Sequence, residues 1–256
     1  MLNRKQWLSL AVSCMLLMGS SFSAEAAAPD NFSVSADELD YDFQTGDAEA
    51  KGHVVLIRDG GKATAEYATF NSKTKAGTLS GKVIANKEDM HITCEKFIIM
   101  DPDHFAATGN AHLTKAGRTV SADRIDYSKP EDFAETSGGS AKLIDNDGSV
   151  LTCGKLDYNH KTGIANAYGN VNIKSSARHL TASGEKAIYR AGEGGAIDLY
   201  GGEKPATATQ DGNTVSGAKL HLTNTNKAVA DGNVQIYYVP DQPAVVGKEQ
   251  ETETKA

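Results

Sequence analysis

Apolar residues recur along the chain in units of about 30 residues, and each unit has two halves with different patterns. The first half follows the order apolar-x-small-x-x-apolar-x-apolar, as at Val34, Ala36, Leu39 and Tyr41. The second half alternates strictly between small or apolar residues and polar residues, as in residues 48–52 (AEAKG). Because successive side chains of a strand point to opposite faces, a period of two predicts strands with one apolar face.

A repeat organises these strands along the chain. The last apolar position of the first half recurs at Tyr41, Phe70, Ile99, Tyr127, Tyr158, Tyr189 and Leu222. A glycine of the second half recurs at Gly52, Gly81, Gly109, Gly139, Gly169, Gly201 and Gly232. Seven units therefore cover about residues 34–236. Internal repeats of this length predict a stack of hairpins, each of which buries its apolar face against its neighbours.

The parity of the apolar positions changes once in each first half, between the small residue and the next apolar residue. A change at a fixed place predicts a bulge or a sharp bend there. Turn-forming sequences such as Thr45-Gly46 and Asp211-Gly212 separate the halves and the units, and such short turns join antiparallel strands. We therefore predict an all-β fold, an elongated antiparallel β-jellyroll or twisted trough of about seven two-stranded repeats, over residues 34–239.

The two ends of the chain differ from this repeat. Residues 1–26 have the pattern of a secretory signal peptide, with a basic start, a short apolar stretch and a small-x-small cleavage site that ends at Ala26. The apolar stretch of about 12 residues is too short for a retained membrane anchor. The sequence thus predicts export with cleavage near Ala26. We expect residues 27–33 to form a linker and the charged residues 240–256 to form a disordered tail.

Composition and motifs exclude several classes of function. The net charge is −7 and the lysines are scattered, so the chain lacks the basic stripe that nucleic acids require. The sequence contains no motif of a serine hydrolase, a phosphate-binding loop or a zinc helix. We therefore predict that the protein is not an enzyme and that it has no cofactor and no metal site.

Two cysteines, Cys94 and Cys153, occupy the same repeat position two units apart. Export to an oxidising compartment makes a disulfide an alternative. Four strand spacings of about 4.8 Å would separate the two positions by about 19 Å, whereas a disulfide requires Cα atoms within about 7 Å. We therefore expect two buried thiols.

The inward apolar positions are the candidate contacts for a ligand. They are Tyr41, Leu56, Phe70, Ile99, Leu113, Tyr127, Tyr158 and Ile173. This set is first of all a core stripe, but its small neighbours could leave a groove that the protein's own side chains do not fill. The acidic residues Asp40, Asp126 and Asp157 have the opposite parity, so we expect them on a solvated outer face.

An open stack of hairpins leaves one unpaired strand at each end. The candidate edge residues are Val34 and Leu39 at the amino end and Val234 and Ile236 at the carboxyl end. Neither stretch contains a proline or an inward charge that would block pairing. We therefore expect both edges to be available for β-augmentation, by a head-to-tail homo-oligomer or by a partner of similar fold.

The sequence VSADELDY at residues 34–41, with Thr45-Gly46 and Gly52 behind it and Gly169-Asn170-Val171 further along, resembles the LptA/OstA family. Members of this family are periplasmic lipopolysaccharide-transport bridge proteins, and their repeat also occurs in the amino-terminal domain of LptD. The resemblance implies a periplasmic β-jellyroll whose interior shields the acyl chains of lipopolysaccharide during transport from the inner to the outer membrane. It also implies an inner-membrane LptC-like partner and an outer-membrane LptD-like translocon.

A function of another class is compatible with the same repeats. The protein could be a structural or adhesive exported β-solenoid with a packed interior and no lipid ligand. A parallel β-helix lyase is less compatible, because the turns are of the hairpin type and a pair of catalytic acid and base residues is missing. The presence or absence of bound glycolipid distinguishes the carrier from the structural rod.

Overall fold

The computed structural model describes residues 32–58, 60–190 and 195–239. The predicted signal peptide, most of the predicted linker and the predicted tail lie outside the described residues. All described residues belong to one compact unit, Asn31–Ala256. Their regular secondary structure consists of β-strands, and in this part of the chain no helix could cross a membrane.

The described residues form twenty strands. They are β1 (Phe32–Ser35), β2 (Glu38–Tyr41), β3 (Asp47–Arg58), β4 (Gly61–Asn71), β5 (Gly77–Lys87), β6 (Met90–Ile99), β7 (His104–Lys115), β8 (Arg118–Ser128), β9 (Phe133–Ser137), β10 (Ala141–Ile144), β11 (Val150–Cys153), β12 (Lys155–Asn159), β13 (Ile164–Ser175), β14 (Leu180–Arg190), β15 (Ala196–Tyr200), β16 (Ala206–Gln210), β17 (Asn213–Gly217), β18 (Lys219–Leu222), β19 (Ala228–Asp231) and β20 (Gln235–Tyr237).

The pairings divide the strands into two ladders, and all pairings are antiparallel. The first ladder has the order β2-β3-β4-β5-β6-β7-β8-β9-β12-β13-β14-β15-β18-β19. The second ladder has the order β1-β3-β4-β5-β6-β7-β8-β10-β11-β13-β14-β16-β17-β20. The long strands β3 to β8, β13 and β14 run through both ladders, so each ladder contains fourteen strand segments. This arrangement confirms the predicted antiparallel all-β fold.

A corner in every long strand separates the two ladders. In β5 the corner consists of Gly81 and Lys82, which have φ angles of 82° and 48°. A Cβ atom on Gly81 would lie only 2.7 Å from the Cβ of Glu66 on β4, so a larger residue does not fit there. The repeat therefore requires a glycine because of both the left-handed backbone and the close approach of the neighbouring strand.

The predicted bend lies at the expected place in the first-half strands. In β4 the buried positions Ala63 and Ala65 are followed by the buried Ala68, so the parity changes at the corner as the sequence predicts. The extra residue, however, belongs to the neighbouring second-half strand. The pairing moves from Thr64–Ile84 to Tyr67–Ser80, which leaves two residues on β4 opposite three on β5.

The sixth unit departs from the repeat pattern. Its turn through Gly201 and Pro205 separates β15 from β16, so the corner is a loop instead of a continuous strand. At Gly184 of β14, where the sequence fits the repeat only with an insertion, a Cβ atom would lie 2.6 Å from the carbonyl oxygen of Tyr200.

The inner faces of the two ladders share one apolar core. The fully buried large side chains are Leu79, Ile125, Leu199 and Leu220 from the first ladder and Val54, Val83 and Val171 from the second. Full burial of such a side chain contributes about 1.5–3 kcal/mol to the free energy of unfolding. The two ladders therefore pack face to face, and their strand ends away from the corner form a seam.

Candidate binding interior

The seam is the line along which the two ladders approach each other at the strand ends that lie opposite the corner. At the amino end the ring of Phe32, in the second ladder, lies 5.0 Å from the ring of Phe70, in the first ladder, in an edge-on arrangement. In the middle the partly buried His160, just after β12 of the first ladder, is within electrostatic reach of Arg118 of the second. Side chains from both ladders therefore line one interior.

One unbroken row of paired residues runs along the seam side of the first ladder, and we call it the aromatic row. Each member is the direct cross-strand partner of the next. The row is Tyr41, Ala48, Phe70, Gly77, Ile99, Phe105, Tyr127, Ala134, Tyr158, Ala165, Tyr189, Ile197, Leu222 and Ala228. Large residues thus alternate with small ones over much of its length.

The second ladder carries a matching row, which we call the aliphatic row. Its members are Val34, Leu56, Ala63, Ala85, Ile92, Leu113, Val120, Leu143, Leu151, Ile173, Ala182, Ala208, Val215 and Ile236. No polar residue interrupts either row. With thirteen strand spacings of about 4.8 Å, each row extends about 62 Å from one edge strand to the other.

All eight predicted interior residues belong to these rows. Five are in the aromatic row and are partly exposed: Tyr41, Phe70, Ile99, Tyr127 and Tyr158. Three are in the aliphatic row: Leu56 and Ile173, which are buried, and Leu113, which is partly exposed. The structure therefore brings the predicted residues onto two facing surfaces, and whether they contact a ligand remains a prediction.

Phe105 and Phe32 are aromatic residues of the interior that were not among the sequence candidates. Phe105 lies between Phe97 and Tyr127, with both ring-centroid distances at 5.0 Å. The sequence contains a signal for Phe105, because it occupies the repeat position that Ala48 has in the first unit. Phe32 lies before the first recognisable unit, and its contact with Phe70 depends on the approach of the two ladders, which no local pattern reveals.

Polar groups lie beside the aromatic row at the middle of the seam. The hydroxyl of Tyr127 donates a hydrogen bond of 3.0 Å to Asp132, and burial together with this carboxylate raises the pKa of Tyr127 to about 12. The ring of Tyr158 packs edge-on against His160 at 4.3 Å. Burial raises the pKa of Tyr158 and lowers the pKa of His160, which favours the neutral form of both. Tyr127, Tyr158 and His160 are therefore predominantly uncharged at neutral pH, beside the carboxylate of Asp132.

The cysteines occupy the corner as expected. Cys94 and Cys153 are both buried and both are free thiols. Burial raises the pKa of each to about 11, so both are protonated at neutral pH. The prediction of two buried thiols in place of a disulfide is confirmed.

Charged residues of the opposite parity lie on the outer face. The Nε atom of Arg124 donates a hydrogen bond of 2.7 Å to Asp126, and Lys155 forms an ion pair of 2.8 Å with Glu135. In residues 32–58, 60–190 and 195–239, no group of three acidic, histidine or cysteine side chains is placed to hold a metal ion.

The edge strands are where the sequence predicts them. Among the described strands, β1 and β2 pair only with β3, β19 pairs only with β18, and β20 pairs only with β17. Leu39 on β2 is 51% exposed and Ile236 on β20 is 77% exposed, although both belong to the inward parity. Val34 lies on β1, whereas Val234 lies just before β20 and outside the strand.

The interior contains a cavity of about 380 Å³ at the carboxyl end. Its apolar lining comes from the last members of both rows, among them Ala208, Val215 and Leu222. At the amino end a second cavity, lined by Phe32, Leu56 and neighbouring residues, has only about 10 Å³. A volume of that size accommodates about one water molecule.

Comparison with known proteins points to one family. The family model described as LptA/(LptD N-terminal domain) LPS transport protein matches residues 62–228. Among solved structures, the chain is similar to LptH from Pseudomonas aeruginosa, described as the LptA-homologous periplasmic component of the lipopolysaccharide transport device. The identity is 14%, the match covers 82% of this chain and 96% of that chain, and the TM-score is 0.22. No curated protein sequence matches the chain.

Proposed function

Because the chain belongs to the LptA/LptD amino-terminal-domain family of lipopolysaccharide transport proteins, we propose that it shelters the acyl chains of lipopolysaccharide between its aromatic and aliphatic rows. A role in lipopolysaccharide transport follows from the family, which consists of transport proteins and not of enzymes. The observation that carries the finer proposal is the continuity of the two rows. Both run without a polar interruption from one edge strand to the other.

The energetics of acyl chains require such continuity. Burial of one methylene group is worth about 0.8 kcal/mol, so exposure of a twelve-carbon chain to water costs roughly 9 kcal/mol. A path that covers the chain at every point avoids this cost. Apart from Gly77, the rows consist of Ala, Val, Leu, Ile, Phe and Tyr residues, whose modest contacts with hydrocarbon repeat along the whole length, which favours sliding over tight binding at one place.

The fold also offers a way to admit the chains. Backbone hydrogen bonds run within each ladder, whereas side-chain contacts such as that between Phe32 and Phe70 hold the seam together. Separation of the ladders at the seam would therefore expose apolar side chains but break no ladder hydrogen bond. The flexing would be taken up at the glycine corners, and incoming acyl chains would cover the exposed surface.

We propose a periplasmic location and two edge-mediated partners, an LptC-like protein of the inner membrane and an LptD-like translocon of the outer membrane. Each ladder has an even number of strand segments, so its first and last strands run in opposite directions. A second copy, or a partner of similar fold, would continue the antiparallel order when docked head to tail. The carrier domain would comprise residues 34–239, and the segments 1–26 and 240–256 would serve as signal peptide and tail.

Extraction of the protein after mild purification from its own cells tests this proposal. We expect mass spectrometry to detect acyl chains of lipopolysaccharide in an amount close to one lipid per chain or per few chains. A structural or adhesive β-solenoid with a packed interior would release no glycolipid. A control extraction of an unrelated exported β-protein of similar size, purified in parallel, corrects for lipid that adheres nonspecifically.

A further inference from the structure

The cavity of about 380 Å³ at the carboxyl end has an apolar floor and a basic mouth. The floor includes Leu180, Ala208 and Val215 from the second ladder and Leu222 from the first. The volume lies in the range of small-molecule binding sites, about 300–1,000 Å³. The floor therefore offers room for hydrocarbon between the ends of the two rows.

Two cations line the mouth from opposite sides of the seam. Arg178 belongs to the turn between β13 and β14, and Lys227 belongs to the turn between β18 and β19. The turns are fixed by hydrogen bonds: the carbonyl of Arg178 accepts one of 3.0 Å from Gln210, and the amide of Lys227 donates one of 3.3 Å to Thr223.

Within the part of the chain that the structure describes, neither Arg178 nor Lys227 forms an ion pair. The one carboxylate that lines the same mouth, Asp211, lies 3.1 Å from His179. Arg178 also acts on the carboxylate of Asp147, in the turn between β10 and β11, and helps to lower the pKa of that group. Two cations beside an apolar floor, neither of them held in an ion pair, are complementary to an amphiphile that has an anionic group next to its hydrocarbon. The guanidinium of an arginine can bind two oxygens of a phosphate at once, and a lysine adds a point charge.

We propose that this cavity is a binding site for a phosphorylated lipid, with an acyl chain on the apolar floor and a phosphate group between Arg178 and Lys227. The inference rests on the proposed function and extends it, because it assigns one end of the groove to the recognition of the lipid phosphate. A lipid held there would sit beside β19 and β20, the edge strands of the carboxyl end.

The test compares the full chain with the double variant Arg178→Gln/Lys227→Gln. The matched control is Lys142→Gln/Lys174→Gln, which removes the same charge from exposed outer positions of the second ladder. The probes are purified lipopolysaccharide and the same lipid after chemical removal of its phosphates, titrated at moderate ionic strength. We expect the wild type and the control to prefer the phosphorylated lipid by about tenfold, and the double variant to lose this preference. Binding of the dephosphorylated lipid should be equal in all three proteins.

Other outcomes overturn the inference in distinguishable ways. If the wild type binds both lipids equally, or if the control loses the preference as the double variant does, the mouth has no specific phosphate site, although lipid carriage itself stands. If light scattering shows that the double variant changes self-association and not lipid affinity, a second copy of the chain occupies the cavity. If no protein binds either lipid, the proposed function fails and the inference fails with it. Equal melting temperatures of the three proteins exclude misfolding as the cause.

Discussion

At the scale of single residues, the corner glycines allow each repeat to bend between the two ladders. Gly81 combines a φ angle of 82° with a neighbour that leaves no room for a Cβ atom. Gly148, in the turn between β10 and β11, has a similar φ angle of 78° but no atom within 4 Å of the position of a Cβ. A comparison of substitutions at these two positions therefore separates the free-energy cost of the left-handed backbone from that of the close approach.

We expect Gly81→Ala to destabilise the protein more than Gly148→Ala. The left-handed backbone costs a residue with a side chain roughly 1–2 kcal/mol, and both variants share this cost. Only Gly81→Ala must also displace β4. Its free energy of unfolding should therefore fall by about 1 kcal/mol or more beyond the decrease in Gly148→Ala. Urea unfolding followed by circular dichroism measures both losses, and equal values would show that the corner tolerates a side chain.

Asp198 is a residue whose role the sequence does not reveal. It has the outward parity on β15, yet its side chain is only 8% exposed because three basic residues surround it. Arg190 and His221 lie within 2.7 Å and 2.8 Å of its carboxylate oxygens, and Lys219 lies within 3.4 Å. Burial by itself would raise the pKa of Asp198, but these partners lower it below its usual range.

We expect Asp198→Ala to lower the free energy of unfolding by about 1.5–3 kcal/mol at neutral pH, because it removes the charged acceptor of the hydrogen bonds from Arg190 and His221. The folded-state pKa of Asp198 is below its unfolded value of about 3.9, so its contribution is complete above that pH. The contribution decreases as the pH falls through the lower, folded-state pKa. The stability difference between wild type and variant should therefore shrink in acid. Asp103→Ala, at a side chain that is 48% exposed, serves as the control, and a difference that stays constant down to pH 2 would contradict the assignment of a lowered pKa to Asp198.

The sequence predicted the aromatic row well because parity and period are local properties of the chain. Tyr41, Phe70 and Tyr127 could be placed on the inner face from spacing alone. Asp198 could not, because its burial depends on residues of β14 and β18 that lie 8 to 23 positions away. The carboxyl-end cavity was missed for the same reason, since Arg178 and Lys227 come from two turns far apart in the sequence that line one cavity only in the folded chain.

At the scale of elements, the edge strands decide how the protein joins a partner. Leu39 occupies an inward position on the edge strand β2 and pairs with Ala50 on one side only. A charge at such a position is a common natural block against edge pairing. Since Leu39 is already half exposed, a lysine there should disturb the fold little.

We expect Leu39→Lys to abolish concentration-dependent assembly and binding to a partner of similar fold, with little change in melting temperature. The matched control is Ile84→Lys, because Ile84 on β5 is 41% exposed but lies away from both edges. Multi-angle light scattering of both variants tests the expectation. If Ile84→Lys disrupts assembly equally, or if Leu39→Lys leaves it intact, the amino-terminal edge is not the contact.

The bend within each element shows what the pattern can and cannot predict. The change of parity located the corner in the first-half strands, as β4 confirms at Ala65 and Ala68. The pattern could not assign the extra residue to the second-half strand. In the second-half strand the corner consists of a Gly-x pair with positive φ angles, such as Gly52-His53. Because a pair is an even number of residues, apolar and polar positions alternate in the same phase before and after it, and the sequence pattern gives no sign of the corner.

At the scale of the whole molecule, fourteen strand segments in each ladder turn a local pattern into two long apolar surfaces. No single hairpin could cover an acyl chain, because one strand spacing is only about 4.8 Å. The stack supplies the length, and the corner folds the two surfaces onto each other. Transport of a lipid along such an interior requires continuity from edge to edge, which depends on every unit.

Site-specific photo-crosslinking in cells tests the central claim most directly. Crosslinkers would replace Phe70, Tyr127 and Tyr158 of the aromatic row or Leu113 of the aliphatic row, and control crosslinkers would replace the outward residues Glu38, Asp126 and Lys155. We predict that the row positions capture lipopolysaccharide and that the outward positions do not. Equal capture by both sets, or no capture at any row position, would contradict the proposal that lipid travels between the two rows.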